Sequence, residues 1–428
     1  MAFICIFNKL HIIIILKFQK YLMFKRFYII FPLYAVLLIG FFLNADPNGG
    51  AYLDYQNHIR LITDLKDNVF NTLLKYDQYA TRHSPLLYVF ISFFYKLNLA
   101  DGLIRFLNVH ICLVLILIFY KCISIKYKNI NSNFIFPISC LIILSPSFWS
   151  LAIWPDSRIY GLIFFTLSIY YFLKFENENK NNFRNSIKCI LSYSISSYFS
   201  PNFAIFSIFY FYFFYKKYNF SRELIYIVLI NLALSIPAFI YIFSLDTIFI
   251  FQTAVPAGEV KLNEIFNLSN KVLIISSIIL FYALPFLLTG SIKYKFFNLK
   301  LNLLTLLILL VCIFYFNYDV NLTGGGIFFK FSDFIFKNNY LFFIICFFAI
   351  NFILNLIKID FKNFLLILLL FLSNPQYTIY HKYYDPLMLI LFILLLSTNL
   401  NIRNFFNNRS ILIFYLYAMT FLVFNFIK

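Results

Sequence analysis

Residues 84–95 read SPLLYVFISFFY, and residues 104–121 read IRFLNVHICLVLILIFYK. The second stretch is long enough to cross a membrane, since about 18–20 apolar residues at ~1.5 Å each cover a hydrocarbon core of ~30 Å. The first is too short. Counted as a span, it would carry Lys121, Lys126 and Lys128 to the outer side and invert every later segment. It is therefore read as a Pro85-led helix lying along the membrane surface.

Working outward from this pair, apolar runs recur near 27–43, 133–153, 159–174, 187–200, 202–215, 224–243, 272–290, 301–316, 340–357, 363–373, 386–399 and 411–427. With 104–121 they predict an all-α polytopic membrane protein of about 13 transmembrane helices (12–14), with an interfacial helix in the first outer loop. The composition, 62% hydrophobic and 12% charged, excludes a soluble globular protein, where roughly 25% of residues are charged. On this topology the short inner loops hold most of the 35 Lys and Arg but few of the 17 Asp and Glu, as the positive-inside rule requires. The net charge of +18 is thus a topology signal, and no basic stripe or tail suggests nucleic acid as a partner.

Residues 1–26 carry Lys9, Lys17, Lys20, Lys25 and Arg26 without an acid, and are expected to form a cytoplasmic or interfacial lead-in. Met23 is an alternative start, and a cleaved signal peptide is the weaker reading. Cys5, Cys112, Cys122, Cys140, Cys189, Cys312 and Cys346 lie in or beside apolar segments, so neither a disulfide nor a cysteine metal site is expected.

The predicted outer side collects the larger loops, 44–103, 244–271 and 317–339, with small ones at 154–158 and 374–385. In the first, Asp46-Pro-Asn-Gly-Gly-Ala-Tyr-Leu-Asp54-Tyr-Gln-Asn-His58 brings two carboxylates and an imidazole close to a membrane exit. A carboxylate there can act as general base toward an acceptor hydroxyl, or hold a divalent cation, Mg or Mn, that neutralises a phosphate leaving group. Asp54 and Asp156 are the metal ligands if there is a metal. Arg82-His83 precedes the surface helix as a pair of phosphate-binding cations. Trp154-Pro155-Asp156-Ser157-Arg158 forms a tight turn, in which Asp and Arg can also simply pair with each other. His381-Lys382-Tyr383-Tyr384-Asp385 offers cations for phosphate and tyrosine faces for sugar stacking. Each motif alone reads as loop, turn or aromatic-belt chemistry; their shared side makes them candidates. Gly324-Gly325-Gly326 has neither the strand nor the Lys-Ser/Thr of a nucleotide-binding loop, and the Asn267 and Asn321 glycosylation triplets are chance matches in an Asn-rich chain.

In order and sidedness this layout resembles the GT-C superfamily of polyprenyl-phosphate-dependent glycosyltransferases, of the aminoarabinose or protein-mannosyl transferase type. The resemblance covers roughly residues 27–215. It rests on Asp54-Tyr55 with His58, Arg-His-Ser-Pro-Leu-Leu-Tyr at 82–88, the Asp156 turn followed by Arg158-Ile-Tyr-Gly-Leu162, and Ser200-Pro201-Asn202. It implies a GT-C-like catalytic core at 27–215 and a variable membrane region at 216–428. It further implies catalytic roles for Asp54 and Asp156, with Asp46 as the alternative acid. Donor-phosphate binding would fall to Arg82, His83, His58, Lys382 and His381, and sugar stacking to Tyr383 and Tyr384. The implied activity is transfer of a sugar from a polyprenyl-phosphate donor to a glycan, lipid or protein acceptor at the extracytoplasmic face of a bacterial inner (plasma) membrane.

Two other readings compete. A polymerase or ligase of lipid-linked glycans would rely on cationic outer loops, and these are rich in acid. A lipid or oligosaccharide transporter would show repeats and ionisable residues within its spans; no repeat is visible, and Asn108 and His110 are the few polar residues placed there.

Overall fold

The computed structural model describes residues 28–79, 81, 83–178, 181–245, 267–291, 298–321, 324–356, 360–374, 378–398 and 401–427. The expectations for residues 1–26, for Arg82 and for most of loop 244–271 lie outside the described residues. Within them the protein is all-helical, with no strand.

The helices are α1 Tyr28–Phe42, α2 Ala51–Asp67, α3 Val69–Leu74, α4 Leu86–Lys96, α5 Asp101–Lys126, α6 Ser132–Cys140, α7 Pro146–Ile153, α8 Ser157–Asn177, α9 Asn182–Phe199, α10 Ser207–Tyr218 and α11 Arg222–Leu245. They continue with α12 Leu268–Leu288, α13 Leu299–Phe314, α14 Ile327–Phe336, α15 Tyr340–Leu356, α16 Phe361–Leu372, α17 Leu387–Leu394, α18 Ile402–Phe405 and α19 Asn408–Ile427.

Helices α5, α8, α11, α12 and α19 are long and apolar enough to cross a membrane. Outward-facing leucines and phenylalanines on α11 and α19, such as Leu229, Leu232, Leu416 and Phe424, are exposed, as an apolar solvent permits. A helix lies at every other predicted span, but α16 has 12 residues and α17 has 8. Helix α4, with 11 residues, is about 16 Å long and packs against α2. Predicted loop 317–339 itself contains α14.

The predicted span 133–153 is not one straight helix. Ser132–Leu144 and Pro146–Ile153 meet at a bend of 66°. The cause is local: Ser145 is extended, its hydroxyl caps Phe148 N, and Pro146 opens the next helix. The bend leaves α7 packed against α2, α5, α8 and α19, so both its ends meet loops that carry the candidate site.

Candidate functional site

Three separate loops converge around α7. In the first, Gly49 and Gly50 take φ values of +73° and +88°, which L side chains adopt only under strain, and Gly50 starts α2 with Asp54 in its first turn. In the second, Asp156 is the N-cap of α8: its Oδ1 accepts from Arg158 N at 2.8 Å. In the third, the short turn His381–Tyr383 carries Lys382.

Arg158 folds back over its own capping carboxylate, with Nε donating to Asp156 Oδ1 at 3.1 Å and Nη2 to Oδ2 at 2.9 Å. The same Nη2 reaches Asp54 Oδ2 at 3.2 Å, where Lys382 Nζ also arrives at 3.2 Å. Two carboxylates and two cations thus form one cluster joining residues 104 and 328 positions apart. Tyr383 faces the Arg158 guanidinium at 5.1 Å.

The electrostatics divide the two acids. Burial raises the pKa of Asp54, but Lys382 and Arg158 outweigh it and hold the carboxyl below its usual range. Asp156, 3% exposed, is also held low against its burial, chiefly by Arg158. Burial and repulsion from Arg158 draw the Lys382 ammonium below the ordinary lysine value, against the pull of Asp54. Both lone-pair faces of Asp156 are engaged, whereas Asp54, with its side chain 36% exposed, receives its bonds on Oδ2.

The histidines depart from their expected role. Burial pushes His83 down to about 3, and His58 also downward, so at neutral pH neither supplies the cation expected of it. His83 Nδ1 meets Ser157 Oγ at 3.0 Å, and His58 bonds Thr81 Oγ1 at 2.8 Å and stacks on Tyr88; they join α2, α4 and the Asp156 turn. Asp46, the alternative acid, accepts from Tyr52 N at the start of α2. His381 lies 3.3 Å from Tyr282 OH and packs on Phe281 and Phe421. Tyr384 is fully buried, which leaves its ring no open face for a sugar.

The metal expectation gains a third residue. Ligand atoms of Asp54, His83 and Asp156, two carboxylate oxygens and an imidazole nitrogen, lie within 4.8 Å of one another.

Several positioning roles escaped the sequence reading. Arg105 Nε donates to Ile153 O, and Asn108 Nδ2 to Leu151 O and Ala152 O, satisfying carbonyls left open at the C-terminus of α7. The Arg105 guanidinium lies 3.5 Å over the Trp154 ring, bracing the Asp156 turn. At the other end, Asp385 Oδ2 accepts from Ser145 Oγ at 2.6 Å and Ser147 N at 3.2 Å, tying the Lys382 loop to the first turn of α7. The triple glycine supports the same loop: Gly325 N donates to Ile379 O, and a Cβ on Gly324 would lie 2.5 Å from that oxygen. Of the two intramembrane polar candidates, Asn108 thus caps a helix, and His110 bonds Tyr34.

A cavity of about 610 Å³ opens behind the start of α4, between α9 and α11, with Pro85, Leu86, Val89, Leu234, Ala238 and Tyr241 among its walls. A second, of about 40 Å³, adjoins Arg158 and Lys382. No known family model, curated protein or solved structure matches the chain.

Proposed function

We propose that this protein is a GT-C-like membrane glycosyltransferase with about thirteen crossings (12–14), which moves a sugar from a polyprenyl-phosphate donor to an acceptor hydroxyl at the extracytoplasmic face. One observation carries the reading: Asp54, Asp156–Arg158 and Lys382, on three segments assigned to the same side from sequence, meet in one charged cluster. The 610 Å³, largely apolar cavity walled by Ser84 and Pro85, the residues that follow His83, is of ligand-binding size, and in this reading it takes the prenyl chain.

In this mechanism the acceptor oxygen bonds to C1 of the sugar on the face opposite the phosphate. The bond from C1 to the phosphate oxygen breaks, and the electron pair leaves on the phosphate, faced by Lys382 and Arg158. The acceptor proton passes to Asp54 Oδ1, and configuration at C1 inverts. A carboxylate with a lowered pKa is a weak base, but the acceptor proton becomes acidic as the C–O bond forms to an oxocarbenium-like carbon. Asp156 fixes the Arg158 fork.

Clustering of Asp54, His83 and Asp156 favours a second reading in which a divalent cation faces the phosphate. The ion pairs weigh against it. Arg158 and Lys382 each lie 3.2 Å from Asp54 Oδ2, so a divalent ion there would sit against two cations whose charge already balances the acids.

The test is transfer of radiolabelled sugar from a panel of polyprenyl-phosphate sugars in membranes holding the protein. Transfer to an acceptor supports the assignment. Donor movement across sealed vesicles without sugar transfer supports the transporter reading instead.

A further inference from the structure

Helix α14 has 10 residues and is about 15 Å long, so it cannot cross a hydrocarbon core of ~30 Å. At about 100° per residue, its side chains fall into three stripes. Phe329 and Ser332, at i and i+3, are buried. The Phe329 ring packs on Phe316, Tyr318 and Phe342, and the Ser332 hydroxyl accepts from Phe342 N and donates to Asn338 O. Ile327, Phe331, Phe334 and Ile335, at i, i+4, i+7 and i+8, are all exposed, Phe334 at 77%. Lys330, Asp333 and Lys337, at i, i+3 and i+7, form a polar edge roughly a third of a turn from that apolar stripe.

The neighbours of α14 show what covers the apolar stripe. The helix packs against α15 and against α12, which is long and apolar enough to cross a membrane. It lies where α13 ends and α15 begins, since Phe316 and Phe342 both meet Phe329. Phe314 and Tyr340, at those two ends, are exposed as well, so the stripe continues the outward apolar surface of the adjoining helices. Water alone would leave the stripe unburied, and hydrocarbon all round would desolvate the charged edge. A helix lying along the boundary between the two satisfies both faces.

The same helix is tied to the charged cluster. Gly325, beside the N-cap Gly326, donates its N–H to Ile379 O at 2.9 Å, and Ile379 N donates to Tyr318 OH at 3.2 Å. Both backbone groups of Ile379 are thus held at the base of α14. Lys382 is three residues further on, at most about 10 Å of chain.

We propose that α14 is an interfacial helix, with Ile327, Phe331, Phe334 and Ile335 seated in the headgroup boundary of the bilayer, and that it holds the Lys382 loop at that level. The partner is the lipid surface itself, and the inference does not depend on the transferase reading.

Depth is measured by tryptophan fluorescence of the full-length protein in nanodiscs. The lipids are brominated either near the glycerol end or near the tip of the acyl chain, and acrylamide is the aqueous quencher. Trp149 and Trp154 are buried, and their emission is subtracted using the unsubstituted protein. Phe334→Trp is expected to lose more emission to the shallow bromines than to the deep ones, at a depth of about 5–10 Å. Phe331→Trp, on the same stripe, repeats the reading if the first variant does not fold. Asp333→Trp, on the polar edge, is expected to lose more to acrylamide than to either lipid. Tyr380→Trp, in the Lys382 loop, is expected within about 10 Å of the Phe334→Trp depth. Stripe tryptophans quenched chiefly by acrylamide would make α14 a solvated loop, and quenching chiefly by deep bromines would bury it in hydrocarbon. Quenching by neither would mean that another protein surface, a second copy included, covers the stripe. Each of these three results overturns the proposal. A Tyr380→Trp outside the stated range, or unquenched by both lipids, overturns the hold on the Lys382 loop.

Discussion

Replacing Arg158 by methionine removes two of the three donors to Asp156, leaving the helix-capping bond from its own backbone N–H. The carboxylate stays 3% exposed without its counter-charge. Breaking a buried ion pair from one side costs about 3–5 kcal/mol, and the retained capping bond puts this site near the lower end, about 3 kcal/mol. Adding Asp156→Asn removes the stranded charge and leaves an amide oxygen that still caps α8, so about 2 kcal/mol should return. The assay is a four-protein thermal-unfolding cycle in detergent, with sugar transfer measured alongside. The double variant should melt above Arg158→Met and remain inactive, because the leaving phosphate has lost its fork of donors. A single variant as stable as the wild type, or a double variant no more stable than the single, refutes the reasoning.

The other predictions concern the groups around that pair. Unfolded His83 takes a proton near 6.5, but the folded residue does so only near 3; the unfolded state binds more protons between these values, so stability should fall as pH drops below about 6.5. His83→Asn should reduce that slope in melting scans from pH 5 to 8, leaving the part that comes from His58, whose pKa burial also lowers. Asp54 and Asp156, held below the ordinary 3.8, contribute stability present above 3.8 and lost as pH falls through their lowered values, leaving this window unaffected. Gly324→Ala sets a Cβ 2.5 Å from Ile379 O at a φ of +93°; a loss of about 1–3 kcal/mol and reduced transfer are expected, read by melting and activity. Chelation by EDTA should leave transfer within about two-fold, and loss restored by manganese would assign Asp54, His83 and Asp156 to a metal.

The all-helical architecture was legible because it depends on the length and apolar composition of its segments. The twelve residues 84–95 are too few to cross, and α4 is short and lies against α2. Runs such as 104–121 are long enough to cross by composition alone. The broken helix at Ser145-Pro146 was also written in the sequence, as a capping serine before a proline. A hydropathy window averages over such a pair, so the 66° bend was missed. The site was partly legible. Asp54, Asp156 and Lys382 were selected by side and residue type, but nothing local to Trp154–Arg158 shows that Arg158 spans both acids. That bridge exists only once the turns of α2 and α8 are adjacent. Burial turned His58 and His83 from cations into neutral packing groups, and hid Tyr384. Gly324, Arg105 and Asp385 act by bracing loops distant in sequence, which no spacing rule reveals.

The most direct measurement is sugar transfer by Asp54→Asn against the wild type, in membranes with matched expression and with prenyl-phosphate-sugar binding measured in parallel. The substitution keeps the shape of a half-exposed side chain and removes the proton acceptor, so transfer should fall about 10²–10⁴-fold while the donor still binds. Transfer at the wild-type rate would contradict the assignment of Asp54 as base and, with it, the catalytic account of the cluster.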